Sequence, residues 1–312
     1  MNLLIKRSTI ILTVGLILIL VSACKQQSQL VFDTPEAAIQ ALSELIGQND
    51  DQLAEQVFGP GSLDLFRSGD ADADREDSQR VKDMIDEWVG FEDHDENTKI
   101  ALLGDEAWPL SIPLVKEGKG WRFGTAEGRE ELLNRRIGRN ELWTLTSLHE
   151  TVDAQREYHS ESRDGNPRAF AQKFRSTQGK HDGLYWPTDD DSELSPLGEL
   201  LAGSESWEDE PHPFHGYLYR ILTRRGDNAP GGEMNYLDEN GFMTGGFGLI
   251  AWPAKYGNSG VMTFMVNHRG LVFENDLGPE TGQLASAIDS YDPDQGWTPT
   301  DDSMAGAVES GD

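Results

Sequence analysis

Cysteine is almost missing from this chain, since Cys24 is the only one among 312 residues. One thiol cannot close a disulfide within the chain, and a modified thiol would leave no cysteine for a metal site. The fold must therefore be held by packed cores, for which the chain has 8 tryptophans and 12 phenylalanines. Its length is sufficient for two domains.

Positive charge is also scarce, because 26 lysines and arginines stand against 55 acidic residues. The formal net charge of −29 repels other polyanions, so neither nucleic acid nor an anionic lipid surface is an expected partner. Two interpretations of the acidic surface remain: a surface for calcium or a cationic partner, or a solvated face, which is the more common.

Motifs of well-known catalytic sites are missing as well. The chain has no Gly-x-Ser-x-Gly nucleophile turn and no Gly-x-x-x-x-Gly-Lys-Ser/Thr phosphate loop. The glycine-rich residues 241–248 lack the strand-then-helix setting of a dinucleotide site and are typical of a bent strand. We therefore expect a protein that is not an enzyme and that has no cofactor, unless it binds calcium.

The N-terminus has the order of a bacterial lipoprotein signal. Lys6 and Arg7 precede an apolar run over residues 10–21, and Val21-Ser22-Ala23 leads directly to Cys24. The run is about a dozen residues, shorter than the roughly 20 that a helix needs to cross a bilayer. The pattern predicts a signal peptide over residues 1–23 and lipidation, including palmitate, at Cys24. An ordinary signal peptide or an uncleaved anchor is the alternative.

Processing at this site would place the protein in the cell envelope. A triacylated cysteine anchors firmly, because each buried methylene contributes about 0.8 kcal/mol. An acidic residue directly after the lipidated cysteine would retain a lipoprotein at the inner membrane. Lys25 occupies this position, so the periplasmic face of the outer membrane is the expected location in a Gram-negative cell. Residues 24–31 form a short tether. The charge becomes −31 because Lys6 and Arg7 leave with the signal.

Residues 32–136 are predicted to form an α+β domain. Thr34 and Pro35 open one helix, Asp50 opens a second, and residues 75–89 form a third, with Val81, Met84, Ile85 and Trp88 pointing inward. Strands are expected over residues 99–103, 110–115 and 121–123. Helices followed by a curved antiparallel meander resemble the nuclear-transport-factor-2-like cone fold, in which a pocket for a small apolar ligand is common.

Residues 137–299 are predicted to form a second α+β domain. Thr125 caps a helix that ends near Arg136, and Gly138 separates it from a long helix over residues 140–159. That helix has Leu142, Leu145, Leu148, Val152 and Tyr158 inward and Glu141 outward. Strands follow over residues 216–223, 247–252, 261–267 and 271–274, the last two joined by a tight turn. This pattern predicts a long helix on an antiparallel sheet, and residues 300–312 form a disordered acidic tail.

Several phrases resemble the bacterial domain-of-unknown-function 2950 family. They are IGRNEL (137–142), DAQREY (153–158), STQGKHDGLYWP (176–187), Gly216-Tyr217, AWP (251–253) and GVMTF (260–264). The resemblance runs from Phe32 to Trp297. It implies no activity and no catalytic residue. A weaker likeness relates the second half to the globular domain of type II secretion pseudopilins, although its long helix is polar on one face and follows a whole domain.

Two short stretches have the oxygen-rich composition of calcium loops. Asp70, Asp72 and Asp74 alternate as calcium ligands do, but Arg75 and Val81 stand where an EF-hand needs glycine and glutamate, so a solvated loop is the alternative. Asp164-Gly165-Asn166 is the other candidate, with a plain turn as its alternative.

Histidines and tryptophans give further candidates. His212 and His215 could bind zinc with Asp209 or Glu210, although Pro213 and the spacing favour ordinary loop histidines. His149 and His159 are about 15 Å apart along one helix, too far to share a ligand. Trp186 and Trp252 could line a carbohydrate or peptide groove, but core positions are more common for them.

These observations favour a non-enzymatic protein-interaction module, anchored to the membrane by lipid and bound to an envelope protein. A lipoprotein that binds a small ligand or calcium is the alternative. An unrecognised hydrolase is the second alternative.

Overall fold

The computed structural model describes residues 28–48, 50–188, 194–205 and 212–300. It combines helices with antiparallel sheets, which confirms the α+β prediction. The predicted signal peptide, Cys24, Asp209, Glu210 and residues 301–312 lie outside the described residues. None of the helices in the described part has both the length and the apolar character needed to cross a bilayer.

The first half begins with four helices, and all but the third have N-termini capped by side chains. They are α1 (Pro35–Leu45), α2 (Asp51–Phe58), α3 (Leu63–Phe66) and α4 (Ala71–Glu87). Thr34 Oγ1 accepts the Ala37 N–H at 3.2 Å, and carboxylates of Asp50 and Asp70 cap α2 and α4 in the same way. Because Asp70 supplies a cap, α4 starts before the predicted Arg75.

Five strands follow and form the first antiparallel sheet. They are β1 (Val89–Asp95), β2 (Thr98–Leu103), β3 (Trp108–Pro109), β4 (Leu114–Glu117) and β5 (Gly120–Phe123). The order is β1-β2-β4-β5, with β3 also paired to β2. Of the strand predicted over residues 110–115, only Leu114 and Val115 lie in a strand, β4, because the chain is irregular from residue 110 to residue 113, between and beside two prolines. Trp88, predicted inward, is 46% exposed.

A core fills the space between these helices and the sheet. Its fully buried side chains include Ile39, Leu65, Leu103, Leu114 and Phe123. The rings of Phe58 and Phe123 lie 4.9 Å apart, so α2 packs directly on β5. Burial of such side chains contributes about 1.5–3 kcal/mol each relative to exposure.

The helix α5 (Thr125–Ser160) runs without a break for 36 residues. The predicted break at Gly138 is therefore wrong, and so is the predicted cap at Thr125, because Gly124 occupies that position. The boundary predicted between residues 136 and 137 lies within this helix, so both halves share it. Leu142, predicted inward, is 68% exposed. Glu141, predicted outward, accepts the N–H groups of residues 261 and 262 at 3.0 Å.

The second half has α6 (Glu199–Ala202) and a five-stranded antiparallel sheet. Its strands are β6 (Tyr217–Leu222), β9 (Gly248–Pro253), β10 (Thr263–Asn267), β11 (Val272–Asn275) and β12 (Thr298–Pro299), in the order β12-β11-β10-β9-β6. β7 (Arg224–Arg225) pairs with β8 (Met234–Asn235), and α7 (Thr281–Ala287) follows β11. The prediction of a long helix on an antiparallel sheet is confirmed; the cone and pseudopilin likenesses stay predictions.

Both faces of the central strands β9 and β10 are covered. Leu249 and Phe264 belong to a core that also contains Leu148 of α5. Ile250 and Met265, the next residues along each strand, belong to a second core that contains Ala285 of α7. Alternate side chains of a strand point to opposite faces, so this sheet is a layer between two cores.

Polar contacts near the start of α4 join the two halves. Asp70 Oδ2 accepts the Gly216 N–H at 3.1 Å, and Lys255 Nζ donates to the carbonyl of Arg67 at 3.0 Å. On α5, Asn140 Nδ2 donates to the carbonyl of Ser259 at 2.9 Å. The segment before α4 and the middle of α5 thus contact the loop after β9, and Asp70 contacts the residue that precedes β6.

Candidate functional site

A groove lies between α4 and the rest of the first half. Its volume is about 1560 Å³, and we call it the α4 groove. Residues of α1, α2, α3, β2 and the first turns of α5 line it, together with the segment after β3. Its apolar lining includes Leu42, Phe58, Met84, Leu103, Ile112 and Leu132.

The floor of the groove is one side of the first core. Leu42, Phe58, Leu103 and Ile112 are buried core residues that also border the groove. Phe66 adds a ring whose centroid lies 4.4 Å from that of Phe58. A ligand in the groove would therefore touch packed apolar side chains, whose positions are already set by the core.

The helix α4 forms the outer wall. It has 17 residues and none is fully buried, although Val81, Met84 and Ile85 pack against the core. Val81 and Met84 also line the groove. A helix with so few buried side chains is less firmly held than the elements around it, so α4 is the wall that can adjust to a ligand.

Charged side chains join α4 to α5 at the rim. Asp77 pairs with Arg139 of α5 and, at 3.0 Å, with Arg80 of its own helix. Arg136 donates to the carbonyl of Leu65 at 2.8 Å and to Asn258 Oδ1 at 2.9 Å. Three guanidinium groups therefore meet one carboxylate in this cluster, in contrast to the acidic chain as a whole.

Burial shifts the pKa of two members of this rim. It raises the pKa of Asp74 above its ordinary value, although hydrogen bonds from Ser68 and the charge of Arg136 oppose the shift. Burial also lowers the pKa of Arg136, against the attraction of Asp74 and Asp77. The direction of both shifts indicates that this part of the rim is shielded from water.

Further charged contacts complete the rim. Arg67 Nη2 lies 2.5 Å from Asp51 Oδ1, which links the end of α3 to the start of α2. Arg135 places its guanidinium 4.9 Å from the ring centroid of Trp108 and donates to the carbonyl of Pro109 at 2.6 Å. Cationic and anionic groups therefore surround an apolar floor, an arrangement that suits a ligand with an apolar body and a polar end.

The first calcium candidates lie at the start of α4, beside this groove. Asp70 is the N-cap and also binds Gly216, Asp72 pairs with Arg75, and Asp74 accepts the Ser68 N–H at 3.0 Å. Each carboxylate thus has a separate partner. The described residues contain no group of three or more His, Cys, Asp or Glu arranged to hold a metal ion. Calcium binding stays a prediction.

The second calcium candidate is a turn after α5. Asp164 has a positive φ of 50°, and its Oδ2 accepts the His181 N–H at 2.7 Å. The Asn166 N–H donates to the carbonyl of Arg163 at 2.8 Å, which closes the turn. The contacts of this turn are with its own half, and the structure does not bring it together with Asp70.

The candidate histidines contact backbone and aromatic groups. The His215 ring stacks on Trp143 with centroids 4.9 Å apart, and the His212 N–H donates to the carbonyl of Gly203 at 3.0 Å. His159 stacks on Phe170 at 4.3 Å. His149 is partly buried on α5.

Both candidate groove tryptophans belong to the interior. Trp186 and Trp252 are buried, as the core interpretation expected. Of the two, Trp252 belongs to the core that contains Ala285 of α7. Neither side chain offers a surface on which a sugar or peptide can stack.

The cone likeness suggested a pocket in the first half, but sequence reasoning did not identify the residues that line the α4 groove. Its lining residues come from many separate elements between residues 42 and 139, so no local motif contains them. A usable signal exists in α4, whose mean hydropathy is low while Val81 and Met84 still share one face. Such a helix can cover a cavity without filling it.

Comparison with known proteins gives one match. The family model described as Protein of unknown function (DUF2950) matches residues 29–300. No curated protein and no solved structure matches the chain.

Proposed function

The chain belongs to the family described as Protein of unknown function (DUF2950). Because membership of this family implies no activity, we propose a function from the α4 groove. The protein is a non-enzymatic lipoprotein of the cell envelope that binds an amphiphile with an acyl chain. The apolar part of the ligand lies on the floor of the groove, and its polar end lies at the charged rim.

The size of the groove is the observation that carries this proposal. Pockets for small molecules usually measure about 300–1,000 Å³. A groove of about 1560 Å³ is larger than such ligands need and is open to solvent on one side, and its floor is made of core side chains such as Phe58 and Leu103. An extended hydrocarbon chain gains about 0.8 kcal/mol for each methylene group that it buries there.

The rim selects against a strongly charged ligand. Arg139 already pairs with Asp77, and Arg67 already pairs with Asp51. A ligand whose head is uncharged, zwitterionic or singly charged can leave these pairs intact, whereas a polyanion is repelled by the surrounding acidic surface. We therefore assign fatty acids and neutral or zwitterionic lysolipids as the ligand class.

The predicted anchor supports the same ligand class. Lipidation of Cys24 would hold the groove close to a bilayer, because only the short tether over residues 24–31 separates the lipid from the first helices. A membrane supplies acyl-chain amphiphiles at high local concentration. Tethering therefore brings the groove to its ligand.

Fluorescence of cis-parinaric acid, a polyene fatty acid, tests this proposal. Residues 25–312, the mature chain without its lipidated cysteine, should bind the probe saturably, and oleic acid should displace it. Val81→Trp places an indole against the apolar floor of the groove and should weaken binding at least tenfold. Asp83→Trp places the same side chain on the exposed outer face of α4 and should leave binding unchanged.

Two results would overturn the assignment. One is probe binding that stays unchanged in Val81→Trp while far-UV circular dichroism shows an intact fold. The other is the absence of saturable binding in the unsubstituted protein. Mass spectrometry of solvent extracts from the purified protein gives an independent measure, since a groove ligand should copurify.

A protein-interaction module is the second candidate function. Leu142 and Trp143 are adjacent on α5 and are 68% and 48% exposed, which is unusual for large apolar side chains of a helix. Pull-down from detergent-solubilised envelopes, with Cys24→Ala as the control, should recover a reproducible envelope partner. Leu142→Ser with Trp143→Ser should lose it. Recovery of no reproducible partner would remove this candidate.

A hydrolase and a calcium-binding protein are not proposed. No contact in the described residues favours either of them over the amphiphile binder. The calcium prediction has its own direct check, which is thermal unfolding with calcium or with a chelator, since a ligand specific to the folded state raises the unfolding temperature.

A further inference from the structure

A second, much smaller cavity lies in the second half of the chain. It has a volume of about 20 Å³ and is bordered by β7, by the loop around Pro230, by the turn between β10 and β11, and by Tyr291. We call it the His268 cavity. It shares no lining residue with the α4 groove.

Positive charge is concentrated at this cavity. Arg225 and Arg269 line it together with His268, and none of its lining residues is acidic. Arg156 of α5 adds a third guanidinium, which donates to the carbonyl of His268 at 3.4 Å. The chain as a whole has 55 acidic and 26 basic residues, so the charge of the cavity lining is opposite in sign to the net charge of the chain.

Backbone geometry holds Arg225 in place. Its Nε donates to the carbonyl of Gly232 at 2.8 Å, and its Nη2 donates to that of Gly231 at 3.2 Å. Gly231 and Gly232 have φ values of 94° and 73°, which favour glycine, and a Cβ at Gly231 would lie 2.7 Å from Nη2. In the described residues, neither Arg225 nor Arg269 forms an ion pair with a carboxylate.

Neutral donors complete the lining. Asn267 Nδ2 donates to Tyr291 Oη at 3.2 Å, so the phenolic hydrogen of Tyr291 is left to donate elsewhere. Burial raises the pKa of Tyr236 and of Tyr291, which keeps both phenols protonated. The buried His268 Nδ1 has no hydrogen-bond partner among the described residues. The cavity thus offers several donors and few acceptors.

The size of the cavity limits what can enter. A space of about 20 Å³ holds one group of the size of a water molecule, since a water needs roughly 10–15 Å³ on this scale. The rest of a ligand must lie at the surface, where the side chain of Arg269 is exposed. The ligand is therefore a group with one buried atom and further polar atoms outside.

We propose that the His268 cavity binds a phosphate-type oxyanion. One oxygen enters the cavity between Arg225 and the tyrosines, and the outer oxygens meet Arg269. Guanidinium groups match the geometry of phosphate oxygens and form two parallel hydrogen bonds with them. The bound anion relieves the repulsion between Arg225 and Arg269, whereas Arg156 already pairs with Asp153 at 2.9 Å.

Isothermal titration calorimetry with inorganic phosphate tests this site in residues 25–312. Phosphate should bind saturably, and sodium chloride at matched ionic strength should give no saturable heat. Arg269→Gln should weaken phosphate binding at least tenfold without unfolding the protein, since this side chain is exposed. Arg224→Gln is the matched control, because Arg224 is the neighbour of Arg225 but pairs with Asp289.

The same titration distinguishes a free ion from a headgroup. Glycerol 3-phosphate that binds as tightly as inorganic phosphate would assign a phosphate monoester with its tail outside the cavity, and weaker binding would assign the free ion. Either result supports the site. Equal binding by Arg269→Gln and the unsubstituted chain, or the absence of saturable phosphate heat, would overturn it. Arg225→Gln provides a second variant, checked for folding by circular dichroism.

Discussion

The carboxylate of Asp70 binds the backbone N–H of Gly216 at 3.1 Å, across the interface between the two halves of the chain. Its other oxygen accepts the Ala73 N–H at 3.0 Å and so caps α4. Asp70 is only 6% exposed. One buried carboxylate therefore starts the outer wall of the α4 groove and holds Gly216, whose φ is 77°.

Replacement of Asp70 tests this double role. Asp70→Ala should lower the free energy of unfolding by about 2–4 kcal/mol, from a lost helix cap of about 1 kcal/mol and a buried N–H left without its partner. Asp72→Ala is the matched control on the same helical turn. Its exposed pair with Arg75 should contribute less than about 0.5 kcal/mol. Urea unfolding followed by tryptophan fluorescence measures both; similar losses would contradict the assignment.

Two glycines of α5 should respond to alanine with opposite signs. Gly138 is exposed and has no atom within 4 Å of an added Cβ, so Gly138→Ala should stabilise the protein by about 0.5–1 kcal/mol. At Gly128 a Cβ would lie 2.6 Å from the backbone of Ile112, so Gly128→Ala should destabilise it by about 1–3 kcal/mol. Thermal unfolding gives the signs, and a destabilised Gly138→Ala would contradict a continuous α5.

The stability of the protein should decrease in mild acid through His215. Burial lowers the pKa of His215 below its ordinary value of 6.5, and Arg139 acts in the same direction, while Asp70, Glu76 and Glu150 oppose it. Because the unfolded chain binds the proton more readily, this contribution is present above pH 6.5 and is lost as pH falls through the folded pKa.

His215→Asn removes this titration, and asparagine tolerates the positive φ of 50° at this position. The fall in unfolding temperature between neutral pH and mild acid should therefore be smaller in the variant than in the unsubstituted chain. An identical pH dependence in both proteins would show that His215 does not contribute. His149→Asn, at a partly buried position on α5, serves as the control.

Lipidation of Cys24 has a direct test in a bacterial host. The unsubstituted protein should incorporate labelled palmitate and sediment with membranes, whereas Cys24→Ala should incorporate none. Palmitate labelling separates this outcome from an uncleaved signal, which would also keep the variant in the membrane fraction. Absence of label in the unsubstituted protein would contradict the predicted anchor.

The sequence predicted elements best where burial produces a repeating pattern. β9 and β10 are covered on both faces and appear in the sequence as apolar runs. Their predicted ends therefore lie within two residues of the observed ends. β1 was missed because Glu92, Asp93 and Asp95 occupy an edge strand that faces water, where apolar periodicity is weak. The helix break at Gly138 was wrong because the cost of one glycine, about 1 kcal/mol, is small beside the packing of a long helix.

The candidate site was predicted only in fragments. The Asp70, Asp72 and Asp74 spacing was interpreted as a calcium loop, although Asp70 in front of an alanine-containing helical segment is also an N-cap signal. The side chains of Phe58, Met84 and Leu132 line one groove only after three separate helices have packed. Such a surface depends on distances between elements that are far apart in the sequence. A pattern of neighbouring residues therefore cannot predict it.

The contact between Asp70 and Gly216 joins positions 146 residues apart. Until the chain between them has closed into a loop, the Asp70 carboxylate has only its local partner, the N–H of Ala73. Contacts of such high sequence separation form late in folding, because a long loop must close first. We therefore expect the floor of the groove to form first and its outer wall to be secured last.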